Sequence, residues 1–397
     1  MPPTSTSVLT NPSSAPGHEL MNHPLVALDI GSTKVACAVG LPHERSAGFE
    51  LLGCSVVAYP VLSDTWLSDP LMVGQAIEQA LEATAVTEDV HRAFVTSTHP
   101  ALASEQIRAA VALGDEPITI RTQDLERLQS AALHQALAVD RDALVVERIG
   151  CTGNGFDGVR NPRGLSATRL FGAFHIVTIP AAARRALVQA VESAGLEVAR
   201  LNYSLPAILA SLGDERIGHQ RLLLVDIGGV TTDVGLFIEG VLHRVEVVPT
   251  GGLRLAVSLA KDLQITMEQA LTWSLEGTAS RKPEVQTLLE EQWGAVRGAI
   301  DRVVEDQPRP DAVLVSGRGA LIDGFAEWVE EATGIPTSLC RSPKTNRMSD
   351  LSRQMALAPV IGSLELLTHG RDGFKDRPTH LVNRLLDRTR TLLTEYF

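Results

Sequence analysis

Two stretches of this chain, about 200 residues apart, follow one design: Leu25-Val-Ala-Leu-Asp29-Ile-Gly31-Ser-Thr-Lys34-Val-Ala-Cys-Ala-Val-Gly40 and Leu222-Leu-Leu-Val-Asp226-Ile-Gly-Gly-Val-Thr-Thr-Asp233-Val-Gly235-Leu-Phe-Ile. Each apolar run is too short for a lone helix and is stopped by glycine, so each reads as strand, turn and strand. The turns carry the chemistry. Glycine lets backbone N–H groups approach an anion closely, Thr231 and Thr232 add hydroxyl donors, and a strand-end aspartate can hold Mg²⁺ through water. The first copy also carries a positive charge, Lys34, that the second lacks. One such turn is a weak signal. Two at this separation argue for duplicated halves facing each other across a cleft, each giving a turn to one polyphosphate. A pair of ordinary glycine-turn hairpins is the competing account.

At these residues the chain resembles the actin-like ATPase superfamily. Asp29-Ile-Gly-Ser-Thr-Lys34 is similar to its first phosphate motif and Asp226-Ile-Gly-Gly-Val-Thr-Thr-Asp233 to its second. Ala312-Val-Leu-Val-Ser-Gly317-Arg318-Gly319-Ala320-Leu-Ile-Asp-Gly324 is similar to its adenosine motif. The resemblance implies an α/β fold of two duplicated halves around a nucleotide cleft, with ATP and Mg as cofactors. It places Asp29 and Asp226 on the metal through water. It places Gly31, Ser32, Thr33, Lys34, Gly228, Gly229, Thr231 and Thr232 around the phosphates and Gly317, Arg318, Gly319 and Ala320 at the adenosine.

Composition allows this and excludes other classes. With 397 residues, 44% hydrophobic and 21% charged, the chain has room for two domains with cores. A net charge of −12 argues against a nucleic-acid surface. Cys37, Cys54, Cys151 and Cys340 show no metal or disulfide spacing and read as reduced thiols. The start lacks a basic stretch followed by an apolar core, and no apolar run reaches roughly 18 residues, so a cytoplasmic location is expected.

Along the chain, the Ser-, Thr- and Pro-rich residues 1–23 are expected to form a disordered leader. Residues 24–98 read as hairpin, strand, helix and strand. Residues 99–178 read as a small α+β insertion, with a helix over 122–137 and strands near 117–121, 143–150 and 167–178. Within it Gly153-Asn-Gly155-Phe-Asp-Gly158 matches a dinucleotide pattern, but the following Asn161-Pro162 cannot open a helix, so it reads as turns. Gly158-Val-Arg-Asn161-Pro162-Arg-Gly164-Leu, Leu170 and His175-Ile-Val-Thr178 resemble the close of the inserted subdomain 1C of the FtsA family. His175 reads as a strand histidine. The resemblance divides the rest into subdomain 1A (24–98 and 179–218), 2A (219–252 and 311–369) and 2B (253–310), a linker over 370–379 and an amphipathic membrane-targeting helix over 380–397.

That helix sets Leu381, Leu385, Leu386, Leu392, Leu393 and Phe397 on one stripe flanked by Arg384, Arg388 and Arg390. A membrane can cover the stripe, or the protein's own core or a partner can. The chain also departs from the FtsA pattern. Val230 stands at the third glycine of the second phosphate turn, and Leu271 and Ser274 stand where the family brings a Glu and a Lys to the nucleoside. Arg318 either compensates, by stacking on the base or pairing with phosphate, or is a solvated surface arginine. The chain runs from Gly277 to Pro283 where the family has a longer hairpin near its FtsZ groove, and the basic Arg-Gly-x-x-x-Gly of the family is not seen near 60–69. Asn202-Tyr-Ser204-Leu-Pro206 holds no acid to activate water, so at most weak ATPase activity is expected. The resemblance implies a filament-forming scaffold, peripheral on the cytoplasmic face of the inner membrane, with itself and the FtsZ C-terminal tail as partners. A PilM-like envelope adaptor is the alternative, argued against by the insertion and the terminal helix. A sugar or acetate kinase would need a catalytic base for which the sequence offers no good candidate.

Overall fold

The computed structural model describes residues 23–43, 46–59, 69–88, 90–213, 215–275 and 283–369. The expected linker and terminal helix, nearly all of the leader, the short 277–283 connection up to Pro283 and the 60–68 segment lie outside them.

The first motif forms β1 (Leu25–Ile30) and β2 (Lys34–Pro42), antiparallel with Asp29 opposite Ala36. β3 (Phe49–Ala58) extends the meander, α1 (Pro70–Glu82) follows, and β4 (Arg92–Ser97) returns parallel to β1. The insertion holds β5 (Ala103–Ala112), β6 (Ile118–Thr119), α2 (Thr122–Ala136), β7 (Arg141–Gly153), β8 (Phe156–Val159), β9 (Ser166–Ala167) and β10 (Arg169–Pro180). Then come α3 (Ala181–Ser193), β11 (Glu197–Tyr203) and α4 (Ser204–Ala210). The second half is β12 (Arg221–Ile227), β13 (Thr232–Ile238), β14 (Val241–Val248), α5 (Gly252–Asp262), α6 (Met267–Leu275), α7 (Pro283–Val304), β15 (Ala312–Ser316), α8 (Phe325–Thr333), β16 (Thr337–Leu339) and α9 (Leu351–His369).

The two large sheets have one topology. Their orders are β3-β2-β1-β4-β11 and β14-β13-β12-β15-β16. In each an antiparallel three-strand meander is joined, through its first strand, to two further parallel strands. This is the duplication that the paired motifs implied.

Both central strands are covered on two faces, which is why they read as unbroken apolar runs. Val26, Leu28 and Ile30 of β1 pack with Val73, Ile77 and Ala80 of α1. Leu25 and Ala27 face the opposite way, onto Leu357, Val360, Ile361 and Leu364 of α9. On β12, Leu223 and Val225 meet Val296, Ile300 and Val303 of α7 and Phe325 and Val329 of α8. Leu222 and Leu224 lie in one core with Leu205, Ile208 and Leu209 of α4. Capping sets α1: Asp69 accepts from Leu71 N–H at 2.9 Å, and Pro70 opens the helix.

The insertion is a four-stranded sheet, β5-β10-β7-β8, with α2 on one face, where Leu125, Leu128 and Leu133 pack with Leu170, Phe174 and Ile176. It enters and leaves by neighbouring strands, since Ala103 of β5 lies opposite Thr178 of β10. It touches the second half where Gln106 Nε2 donates to the His243 carbonyl at 3.0 Å and Arg160 pairs with Glu239 at 3.3 Å. His175 is buried on β10 beside the Ser104 hydroxyl, 2.6 Å away. The Asp157-Gly158 turn signal falls inside β8, and Gly155, at φ +78°, turns the hairpin instead.

α4 and α9 cross in backbone contact. A Cβ added at Gly362 would sit 1.6 Å from the Ala207 carbonyl oxygen, which no rotamer change relieves. Gly362→Ala should therefore force the helices apart and lower stability by at least about 2 kcal/mol. Gly294→Ala, on α7 with open space around its Cβ position, should raise stability by about 0.5–1 kcal/mol. Urea denaturation of both variants checks this pair, and similar shifts of one sign would contradict the crossing.

Candidate functional site

The two phosphate-type turns close in the same way. Gly31 N–H donates to the Lys34 carbonyl at 3.0 Å, and Gly228 N–H to the Thr231 carbonyl at 2.9 Å. α5 starts on the second turn: Gly252 N–H reaches the Gly228 carbonyl at 3.0 Å and Leu253 N–H the Gly229 carbonyl at 2.8 Å. The turns abut, because a Cβ on Gly229 would fall 2.6 Å from Ser32 Oγ and 2.7 Å from Thr33 Cγ2. Arg318 crosses the same gap, donating from Nη2 to Thr33 Oγ1 at 3.1 Å.

Three aspartates converge beneath. Asp29 takes Lys34 Nζ at 3.3 Å, Thr96 Oγ1 at 3.0 Å and Ser204 Oγ at 3.1 Å. Asp233, buried, accepts from Thr98 Oγ1 at 2.7 Å, Tyr203 Oη at 2.8 Å and Thr231 Oγ1 at 3.3 Å. Burial pushes the Asp233 carboxyl up to about 6 against the pull of those hydroxyls. Asp226 is pushed up to about 7, by burial first and then by the charges of Asp233 and Asp29, with Lys34 opposing. Burial also holds the Tyr203 phenol well above its ordinary value.

A cleft of about 450 Å³ opens over these groups. Asp29, Gly31, Ser32, Thr33, Lys34, Asp226, Gly228, Gly229, Thr231, Gly317, Arg318 and Gly319 all line it. Thr232 and Ala320 do not: the Thr232 hydroxyl turns to the Thr250 carbonyl at 3.0 Å, and Ala320 is packed in the second core. Leu271 lines the cleft with Leu253, Met267 and Ile322, an apolar surface suited to a flat base. Sequence reasoning passed over Tyr59, whose hydroxyl donates to the Gly31 carbonyl, and Thr98. It also passed over Met355, Ala356 and Pro359 of α9, where the Ala356 carbonyl accepts from Lys34 Nζ at 3.3 Å. Thr96 and Thr98 had one signal, their place at the carboxyl end of a parallel strand.

This donor set suits a nucleotide polyphosphate. Glycine turns expose backbone N–H groups, hydroxyls surround them, and a cation beside Asp29 and Asp226 would offset the burial, and the lesser repulsion from Asp233 and Asp29, that raise Asp226. Among the described residues no group of three or more His, Cys, Asp and Glu is arranged to enclose a metal. An ion here would complete its shell with water and ligand oxygens, as Mg²⁺ commonly does.

Paired sheets of one topology, with strand-end aspartates and glycine turns facing across a cleft, define an actin-like protein. Solved structures share the fold: the PilM–PilN type IV pilus biogenesis complex, 14% identical, superposes with a TM-score of 0.66 over 87% of this chain and 98% of that one. MreB 5 of Spiroplasma citri bound to AMPPNP, 11% identical, gives 0.50 over 89% and 98%. Sequence comparison is more specific. Residues 100–178 match the SHS2 domain inserted in FtsA, and residues 223–362 match cell division protein FtsA, together more than half of the chain. Cell division protein FtsA of Pseudomonas aeruginosa is 26% identical over 377 residues, covering 86% of this chain and 88% of that protein. That of Borreliella burgdorferi is 22% identical over 382 residues, covering 88% and 92%. The chain belongs to the FtsA cell-division family.

The raised carboxyls have a pH consequence. An acid whose folded pKa lies above its unfolded value keeps a proton that the unfolded chain gives up, so stability is lost as pH rises through the folded value. For Asp226 the window runs from its ordinary 3.8 to about 7. In the nucleotide-free protein, Asp226→Asn should raise the melting temperature by several degrees at pH 8 and by clearly less at pH 5. Thermal unfolding at the two pH values checks this, and equal shifts would contradict it.

Proposed function

We propose that this protein is an ATP-binding, filament-forming scaffold of cell division that tethers FtsZ to the inner membrane. The observation that carries the nucleotide part is the pair of abutting glycine turns over Asp29 and Asp226, lined by Lys34 and Thr231. In this reading Asp29 and Asp226 hold Mg²⁺ through water. Gly31, Ser32, Lys34, Gly228, Gly229 and Thr231 meet the phosphates, and Gly317 and Gly319 lie beside the adenosine. The metal neutralises charge that two carboxylates would otherwise set against a polyphosphate.

Hydrolysis in this reading is slow. Among the described residues lining the cleft there is no Glu, Gln or His, and the Ser204 hydroxyl is already donated to Asp29. With Asp29 and Asp226 taken up by the metal in this reading, the ~10²–10⁴-fold contribution of a general base is missing, and ATP acts by being bound. Fluorescent ATP should bind in a Mg²⁺-dependent way, with affinity lost in Lys34→Ala and Asp226→Ala and turnover close to background. Unchanged affinity in both variants would sink the site; many turnovers per minute, abolished by Asp29→Ala, would sink the slow-hydrolysis reading.

The scaffold part draws on family membership and on sequence beyond the described residues. Among the described residues no helix is long and apolar enough to cross a membrane. The stripe of Leu381, Leu385, Leu386, Leu392, Leu393 and Phe397 supplies the anchoring surface in this reading. Two different subunit ends make a heterologous contact that extends into a filament, and the FtsZ tail is the further partner. Family matches in sequence favour this reading over a PilM-like adaptor, since the likeness to PilM is one of fold. Full-length protein should co-sediment with anionic liposomes and keep much of that binding at raised salt. Leu386→Glu with Leu393→Glu should leave it folded in the supernatant. Equal sedimentation, or unfolding of the double variant, would assign the helix a structural role.

A further inference from the structure

The cleft has an uneven charge supply. Among the described residues that line it, Lys34 and Arg318 are the cations. Lys34 is spent on Asp29 and on the Ala356 carbonyl, both at 3.3 Å. Arg318 is held differently. Its Nη2 donates to the neutral hydroxyl of Thr33 at 3.1 Å, and among the described residues no carboxylate lies within ion-pair distance of it. A guanidinium has five N–H donors in a planar fork suited to two oxygens of one anion, and a single hydroxyl leaves most of that capacity unused. Burial lowers the Arg318 pKa, and the compensating charge of Asp350 acts only from beyond contact.

The backbone fixes where this fork points. Gly317 has φ +78°, and an added Cβ there would lie 2.2 Å from the Ile227 carbonyl oxygen and 2.9 Å from Asp226 Oδ1. Arg318 is thus rooted against the second turn while its tip touches the first, between Ser32 and Lys34. That is the polyphosphate end of the cleft and not the apolar surface of Leu253, Met267 and Leu271. We propose that Arg318 pairs with the polyphosphate of the bound nucleotide, exchanging the Thr33 hydroxyl for phosphate oxygens and giving the second half the positive charge its own turn lacks. This rests on the nucleotide reading above and assigns within it a charge that the glycine turns do not carry. The exchange also makes Arg318 a tie between halves in both states, to Thr33 without nucleotide and to phosphate with it.

Calorimetric titration of full-length wild type, Arg318→Gln and Arg318→Lys with ATP, ADP, AMP and adenosine in excess Mg²⁺ tests this. Arg318→Gln should weaken ATP by about 10–100-fold, the range expected for a charge-assisted hydrogen bond, and leave adenosine unchanged. Arg318→Lys should recover part of the loss, which a folding defect would not allow. Equal losses for ATP and adenosine would put the guanidinium on the base and overturn the proposal, as would no loss for any ligand while wild type binds ATP. Wild type that binds no nucleotide would overturn both this inference and the reading beneath it.

Discussion

The distance between the two halves is set where the backbones of α4 and α9 touch, since Gly362 has room for nothing larger than hydrogen against the Ala207 carbonyl. Each helix is also a loan. α4 continues from β11 of the first sheet but shares a core with Leu222, Leu224 and Phe237 of the second. α9 follows β16 of the second sheet but packs onto Leu25, Ala27 and Ala38 of the first. Neither sheet is sealed without the helix of the other half, so the two halves share their packing through the helix crossing. Pro359 of α9 lies on the cleft wall about one turn before the crossing, so the crossing and the cleft wall share a helix.

Above that crossing, two hydrogen bonds between the halves end on one buried residue. Asp233 belongs to the second half, while Thr98 and Tyr203, which donate to it, belong to the first. A buried carboxylate held by hydroxyls from the other half ties the cleft floor together. Its charge adds to that of Asp29 in raising Asp226, after burial, which is the electrostatic cost of three acids converging under the cleft.

The hairpins were legible because buried central strands write continuous apolar runs, and because Asp-Ile-Gly sets a turn-forming glycine directly after the last apolar residue. Leu271 was legible as a departure from the family and does face the cleft. β5 was not legible: Ile107, Ala109 and Val111 share one face with the charged Glu105, and the other face carries Ala110 beside Gln106 and Arg108, so no clean period of two is written. Met355 and Ala356 were hidden for another reason. α9 is apolar nearly all round, so nothing local distinguishes the face that meets Lys34 from the face that meets the core. Thr232, grouped with the phosphate residues by its motif, turns away because strand alternation sends it to Thr250 once Thr231 faces the cleft.

The insertion hangs from two adjacent strands, with Ala103 opposite Thr178, and neither large sheet draws a strand from it. β4 pairs with β1 and β11 whatever stands between Ser97 and Ala181. In evolutionary terms the appendage is a graft on a finished trunk: a lineage can lengthen, re-aim or replace it without re-registering any strand beneath the cleft. The base of the appendage is the exception: Leu144, Val145, Val177 and Ile179 share the main core with Leu242 and Val245 of β14, and Gln106 meets His243 and Arg160 meets Glu239, so that freedom is confined to the faces turned away from the trunk.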